Sequence, residues 1–243
     1  MPRPVKILAT SDIHGFLAGL LDICSVQQPD VLLIAGDIHP CEIGVSPDTW
    51  FEHEFFPFVY EVGKKGCEVI AVPGNHDYWL AAHGPAMMLN GSLPFRDMPV
   101  VPENFHLLVD SEYKTHGLRF YGTPWVPWIS GHWCFEEDDD DLRDRFAAIP
   151  VGVDFLISHT PPRYDEANLD ISLQRPHEQR RHFGSVSLRD AIEQKKPRYC
   201  ICGHIHSGYH SGFTAPCGTK IYNVSRVDER YHVYYAPLAL EVR

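Results

Sequence analysis

The chain has no apolar run long enough to span a bilayer, and its opening, MPRPVKILATSDIHG, passes into Ser, Asp and His before a signal-peptide core can build up. No membrane partner is therefore expected, and the expected location is the cytoplasm. CxxC pairs are also missing. The seven cysteines, at 24, 41, 67, 134, 200, 202 and 217, form an odd, scattered set that fits reduced thiols rather than a disulfide framework. Cys200 and Cys202 share one face of an apolar segment and read as small core residues. Positive charge is scarce: 21 Lys and Arg against 32 Asp and Glu leave a formal charge of -11. A nucleic-acid polymer is a poor partner for such a chain, because phosphate backbones attract a cationic surface. Neither GxxxxGK[ST] nor GxSxG occurs, so P-loop nucleotidases and α/β-hydrolases lack support.

What is present is a series of short β-branched runs, VKILA (5–9), VLLIA (31–35), CEVIAV (67–72), VDFLIS (153–158) and YCIC (199–202). Their continuity is that of strands buried on both faces. Helical spacing appears at 16–27, at 49–65 with an expected interruption at Pro57, and at 186–196, where Ser185 is a candidate N-cap. Further strands are expected at 106–110, 118–121, 220–224 and 233–242, enough for two sheets. The class is α/β, and 243 residues fit a single domain spanning 1–243. The stretch 80–104 reads as a long loop or short helix, and the acidic run 136–141 as a solvated face leading into a helix at 142–149.

The most informative residues stand just beyond each strand. The runs lead into Asp12 and His14; into Gly36 and Asp37; into Gly74, Asn75, His76 and Asp77; into His159; and into Gly203, His204 and His206. Ligand sites form at the carboxyl edge of α/β sheets. Asp, Asn and His offer oxygen and nitrogen donors without thiolate, suiting borderline or harder divalent ions. Seven candidate ligands exceed what one four-coordinate ion needs, so two adjacent ions use them better, with Asp37 able to bridge. Spacing alone leaves open whether His204 and His206 serve one ion or two.

The set D-x-H, G-D, G-N-H-D, a later H and G-H-x-H, spread from Asp12 to His206, resembles the calcineurin-like metallophosphoesterase superfamily. YGTPWVPW (121–128), SHTPP (158–162), GHIHSGY (203–209) and YNVS (222–225) are similar to its brain-239 type branch, close to class III cyclic-nucleotide phosphodiesterases. The resemblance implies a four-layer αββα sandwich of two mixed sheets flanked by helices. It also implies two divalent ions, manganese first, with Fe, Zn, Ni, Co or Mg as options. Asp12, His14 and His206 would hold one, Asn75, His159 and His204 the other, and Asp37 would bridge. His76 would stand beside the phosphate as general acid and Asp77 would order its loop. The implied reaction is hydrolysis of a small phosphodiester, cyclic nucleotides included, by hydroxide generated between the ions.

One departure narrows the substrate. Protein phosphatases of the superfamily carry G-D-x-V-D-R-G, whereas this chain reads Gly36-Asp37-Ile38-His39-Pro40-Cys41, so a protein phosphatase is not expected. Arg163, Arg180 and Arg181 are candidates either for pairing phosphate or for solvated loop positions. Tyr121, Trp125, Trp128 and Trp133 could stack a base or pack structurally, and His39 could support Asp37.

Overall fold

The computed structural model describes residues 3–40, 44–87, 100–172 and 181–243; Cys41, Arg180 and part of the 80–104 stretch lie outside them. The first half of the chain builds β1 (Val5–Thr10), α1 (Ala18–Gln27), β2 (Val31–Ala35), α2 (Pro47–Trp50), a π-helical turn (Phe51–Phe55), α3 (Phe56–Gly63), β3 (Glu68–Val72), α4 (Tyr78–Met87), β4 (Phe105–Leu107) and β5 (Ser111–Thr115). The second half builds β6 (Leu118–Thr123), β7 (Val126–Pro127), β8 (Glu136–Glu137), α5 (Leu142–Ala147), β9 (Phe155–Ser158), α6 (Val186–Lys195), β10 (Tyr199–Cys202), β11 (Phe213–Thr214), β12 (Lys220–Asn223) and β13 (Leu238–Val242).

Two mixed sheets result. The first has the order β13-β1-β2-β3-β4, parallel except for β13; the second has the order β11-β12-β10-β9-β6-β5, with antiparallel strands at both edges. Alternation along the strands divides the core into layers. Ile7, Val31, Leu33 and Ile70 meet Phe120, Phe155, Ile157 and Ile201 between the sheets. Leu8, Leu32, Ile34 and Val69 point the other way, onto the aromatic side chains of the π turn and α3. On the far side of the second sheet, Leu156, Cys200, Cys202 and Ile221 pack on α5 and α6. Phe120, Phe155 and Tyr199 stack at 5.2 and 4.8 Å across the middle layer, and each fully buried side chain of this size stabilises by about 2–3 kcal/mol. The arrangement is the α/β sandwich expected from the sequence, with buried Cys200 and Cys202 serving as core.

Three local expectations need correction. The helix at 49–65 is not interrupted at Pro57. The π turn moves the Phe56 N–H onto the Phe51 carbonyl, so the proline falls at the start of α3, where its missing N–H costs little. The acidic run does more than face water. Asp139 accepts the Val186 and Ser187 amides at 3.0 and 3.1 Å and so caps α6, while Asp141 makes no side-chain cap to α5. The last strand begins at Leu238 rather than 233, because the Tyr234 and Tyr235 amides turn onto the Arg226 carbonyl.

Register sets up the site. Thr10 stands beside Ile34 and Ile34 beside Ala71, so β1, β2 and β3 end level. The Ser11 amide donates to the Val224 carbonyl, and the Val224 amide to that of Cys202. The carboxyl ends of both sheets therefore meet at one edge.

Candidate metal centre

Every donor singled out at the strand ends arrives at this edge. Asp12, His14 and His206 offer ligand atoms all within 4.8 Å of one another, and so do Asp37, His159 and His204. His159 Nε2 and Asp37 Oδ2 are 3.4 Å apart, His14 Nε2 and Asp37 Oδ2 3.8 Å, and Asn75 Oδ1 lies 3.0 Å from His159 Nε2. Asp37 thus faces histidines of both groups. His204 and His206, two residues apart, fall in different groups.

The backbone takes an unusual path to achieve this. Asp12, His14, Asp37 and His204 have φ of 49°, 39°, 52° and 68°, four of the eleven non-glycine residues with positive φ among those described. Asp and His tolerate this left-handed region better than most residues, yet each instance is mildly strained. Cross-loop bonds brace it: the Asp12 amide donates to Gly36 O and the His14 amide to Asp37 O, at 2.9 and 3.0 Å. The motif glycines are sites of close approach. A Cβ on Gly36 would enter the His159 ring, one on Gly74 would strike the Asp37 amide and carboxylate, and one on Gly203 would strike Ser11 Oγ and the Asp12 carboxylate.

The donor chemistry fits divalent ions. His159 donates Nδ1–H to the Ala35 carbonyl at 2.8 Å, and His206 Nδ1 lies 3.1 Å from the Asp228 carbonyl. Each ring therefore turns Nε2 toward the cluster, as an imidazole ligand requires. Burial lowers the pKa of His14 to about 4 and of His204 to about 3, keeping both rings neutral near pH 7. Burial opposes ionisation of Asp12 and Asp37, but neighbouring histidines outweigh it, His206 for Asp12 and His159 for Asp37, so both carboxyls stay below their ordinary range. Asp12 also accepts the Ser225 hydroxyl at 2.7 Å and the His204 amide at 3.0 Å.

His76 stands at the mouth, its side chain 20% exposed and Nε2 3.9 Å from Asp37 Oδ2. Its amide donates to Asp37 Oδ1 at 2.9 Å. Asp77 is fully buried and accepts the amides of Gly74, Ile38 and His39 at 2.8 to 3.0 Å, tying the two loops together. Burial, then the charge of Asp37, pushes its pKa up to about 7 against those donors. The His39 ring packs on Trp50 and Phe51 instead of reaching Asp37, so only its amide serves the loop.

The other sequence candidates separate. Arg163 pairs with Asp165 at 3.0 Å, Arg181 is exposed, and Arg180 lies outside the described residues. Tyr121 is buried in the α5–α6 layer. Trp125 donates to Asp110 and lies under the Arg145 guanidinium at 3.8 Å, a structural placement, and Trp128 is 59% exposed. Trp133 rests on His76, with ring centroids 4.3 Å apart. Sequence reasoning missed Asp228, which orients His206, and Tyr231, whose ring contacts His14 and His206. No spacing rule connects positions 228 and 231 to a histidine at 206, and only the fold does.

Comparisons with known proteins agree with the layered fold. The chain is 28% identical over 263 residues to human metallophosphoesterase domain-containing protein 1, covering 99% of this chain and 73% of that one. A subunit of the nuclease SbcCD of Escherichia coli K12 is 30% identical over 88 residues, 30% of this chain and 21% of the other. The fold matches the crystal structure of TT1561 of Thermus thermophilus with a TM-score of 0.58 at 13% identity, over 99% of this chain and all of that one. No helix among the described residues is long and apolar enough to cross a membrane. A family model described as calcineurin-like phosphoesterase matches residues 5–208, a span holding all seven donors, and the chain belongs to that family.

Proposed function

We propose that the chain is a metal-dependent phosphodiesterase acting on small diesters, cyclic nucleotides among them. The observation that carries this reading is the pair of donor groups meeting at Asp37, with His76 beside them at an open mouth. Asp12, His14 and His206 are the residues to hold one ion, and Asn75, His159 and His204 the other, with Asp37 between. Two divalent ions, manganese by preference, would supply Lewis acidity for an attacking water and for phosphate oxygens. The chain's own contribution is orientation. The Ala35 and Asp228 carbonyls fix the His159 and His206 tautomers, Ser225 and the His204 amide fix Asp12, and Asp77 fixes the loop carrying His76. His76 is placed to give a proton to the departing alkoxide, a role worth typically about 10² to 10⁴-fold.

A small substrate suits the overall charge of -11. The similarity to part of a nuclease favours nuclease action as the second reading, though it spans only 30% of the chain. Purified protein given manganese should hydrolyse bis-p-nitrophenyl phosphate, lose that activity to a chelator, and hold about two transition-metal ions per chain by elemental analysis. If the metal-loaded protein cleaves no phosphodiester, phosphomonoester or pyrophosphate, the reading is wrong. Degradation of single-stranded DNA or RNA in preference to small diesters would establish the second reading instead.

A further inference from the structure

Two aromatic rings stand against the histidines of the centre. Tyr231 meets His14 with centroids 4.8 Å apart and 68° between planes, and meets His206 at 5.3 Å and 90°. Trp133 lies on His76 at 4.3 Å and 38°. Because His14 and His76 are themselves 5.3 Å apart, the rings of Trp133, His76, His14 and Tyr231 form a continuous row that passes from the partly exposed His76 through the buried His14 to the half-exposed Tyr231.

Local structure holds both end members of that row in place. Tyr231 has φ 61°, a left-handed conformation that a bulky side chain seldom adopts, and it keeps 39% of its surface exposed. The turn is closed around it by Asp228, whose carboxylate accepts the Arg230 and His232 amides at 2.8 and 2.9 Å and whose carbonyl accepts the Tyr231 amide at 2.9 Å. That same carbonyl receives His206 Nδ1, so the position of the Tyr231 ring is tied to a candidate ligand. On the other side, the Cys134 amide donates to Asn75 O at 3.2 Å and Tyr78 donates its hydroxyl to His132 O at 2.6 Å, fixing the segment that carries Trp133. A strained turn that presents a half-exposed ring to a reactive centre is poorly explained by stability alone. Strain of this kind concentrates where a side chain must be aimed.

We propose that Tyr231 and Trp133 are specificity-determining residues that flank the reacting phosphate and bind the planar ring of an ester substituent. The favoured substrates are then phosphodiesters that carry a nucleobase or an aryl group. The proposal rests on the phosphodiesterase reading and adds to it the part of the substrate away from the phosphorus. Stacking on an aromatic face accepts any base, and its loss on substitution corresponds to about a tenfold change in binding.

The test compares 2′,3′-cyclic AMP with glycerol 1,2-cyclic phosphate, which has the same reactive ring without a base, using manganese-loaded protein of full length. Tyr231→Leu and Trp133→Ala should each lower the ratio of kcat/KM for the nucleotide to that for the glycerol ester by about tenfold, whatever each does to the base-free reaction through His76, His14 or His206. Tyr231→Phe should keep wild-type preference. Calorimetry supplies a readout without turnover: wild-type protein should bind AMP more tightly than ribose 5-phosphate, and Tyr231→Leu should lose that margin with its metal content unchanged. Equal losses on both esters, or a wild-type protein that does not distinguish AMP from ribose 5-phosphate, would overturn the proposal while leaving the phosphodiesterase reading intact. If neither ester is cleaved, the phosphodiesterase reading fails on these substrates, and the calorimetric margin still decides whether the two rings recognise a base.

Discussion

Replacing Ser225 by alanine isolates one contact of the proposed centre. Ser225 and Asp12 are both fully buried, and the hydroxyl donates to Asp12 Oδ2 at 2.7 Å. A hydrogen bond to a charged group is worth about 1.5–3 kcal/mol, so metal-free protein should lose about 2 kcal/mol of stability in a urea titration with chelator. The loss is bounded because Asp12 keeps the His204 amide at 3.0 Å and His206 Nε2 at 3.3 Å. With the hydroxyl gone, one oxygen is held by the His204 amide alone and the carboxylate can rotate. Removing such an orienting partner typically weakens metal affinity by about 10- to 100-fold. Manganese titration by calorimetry should therefore show at least a tenfold weaker site, about 1.4 kcal/mol. Ser225→Thr, which keeps the hydroxyl, should restore most of both quantities. A Ser225→Ala protein that loses stability but binds manganese within twofold of wild type would refute the orienting role.

His76→Ala should keep near-normal metal content by elemental analysis while kcat on a diester with a poor leaving group falls by about 10²-fold or more; full activity on that substrate would remove His76 from the acid role. The metal-free protein should be most stable near pH 6.5. His159, raised to about 9 because the charge of Asp37 outweighs burial, adds stability that is complete below pH 6.5 and lost as pH rises through 9. His14 and His204, lowered by burial to about 4 and 3, make the unfolded chain the better proton acceptor below pH 6.5, so stability also falls toward acid, offset in part by Asp77. Urea midpoints against pH in chelator test the maximum. An ion held by His159, as proposed, would have to displace its proton, so manganese affinity should rise by about tenfold per pH unit from 7 toward 9, and a flat affinity would contradict a protonated ring at that ligand.

The chain announces its strands because both faces of each sheet are covered. Leu32 and Leu33 bury into different layers, so VLLIA has no polar alternation to blur it. The convergence of the strand-end residues was legible for a related reason, since parallel strands of level register bring residues distant in sequence to one edge. β5 was missed because SEYKT is a half-buried polar edge strand with no apolar run. The Pro57 error arose because proline rules describe α-helices, and a π turn changes which carbonyl each amide meets. Asp139, Ser225, Asp228 and Tyr231 act across the fold: Ser225 reaches Asp12 over 213 positions and Asp139 reaches α6 over 47. Such roles depend on which loops the sheets bring together, and no local period records that.

The strain at the donors raises the question of what holds them in place. Positive φ at Asp12, His14, Asp37 and His204 costs of order 1–3 kcal/mol each, and bound ions could offset this only while bound. The backbone offers another source, because the donor loops also join the sheets. Ser11 donates its amide to Val224 O, accepts the Arg226 amide, and gives its hydroxyl to Ala35 O, all at 2.8 to 2.9 Å. Gly203 donates to His159 O at 3.0 Å and Asp12 to Gly36 O at 2.9 Å. Opening these loops would therefore separate β1 from β12 and expose the layer between the sheets, coupling local strain to global stability. The amides of Ser11, Asp12, His14 and Arg226 should accordingly exchange with solvent nearly as slowly as those of β2 and β10, even in chelator. Hydrogen exchange read by mass spectrometry or NMR with and without manganese checks this. If those amides exchange at the rate of an open loop once the ions are removed, the ions hold the strained conformation and the backbone joint does not.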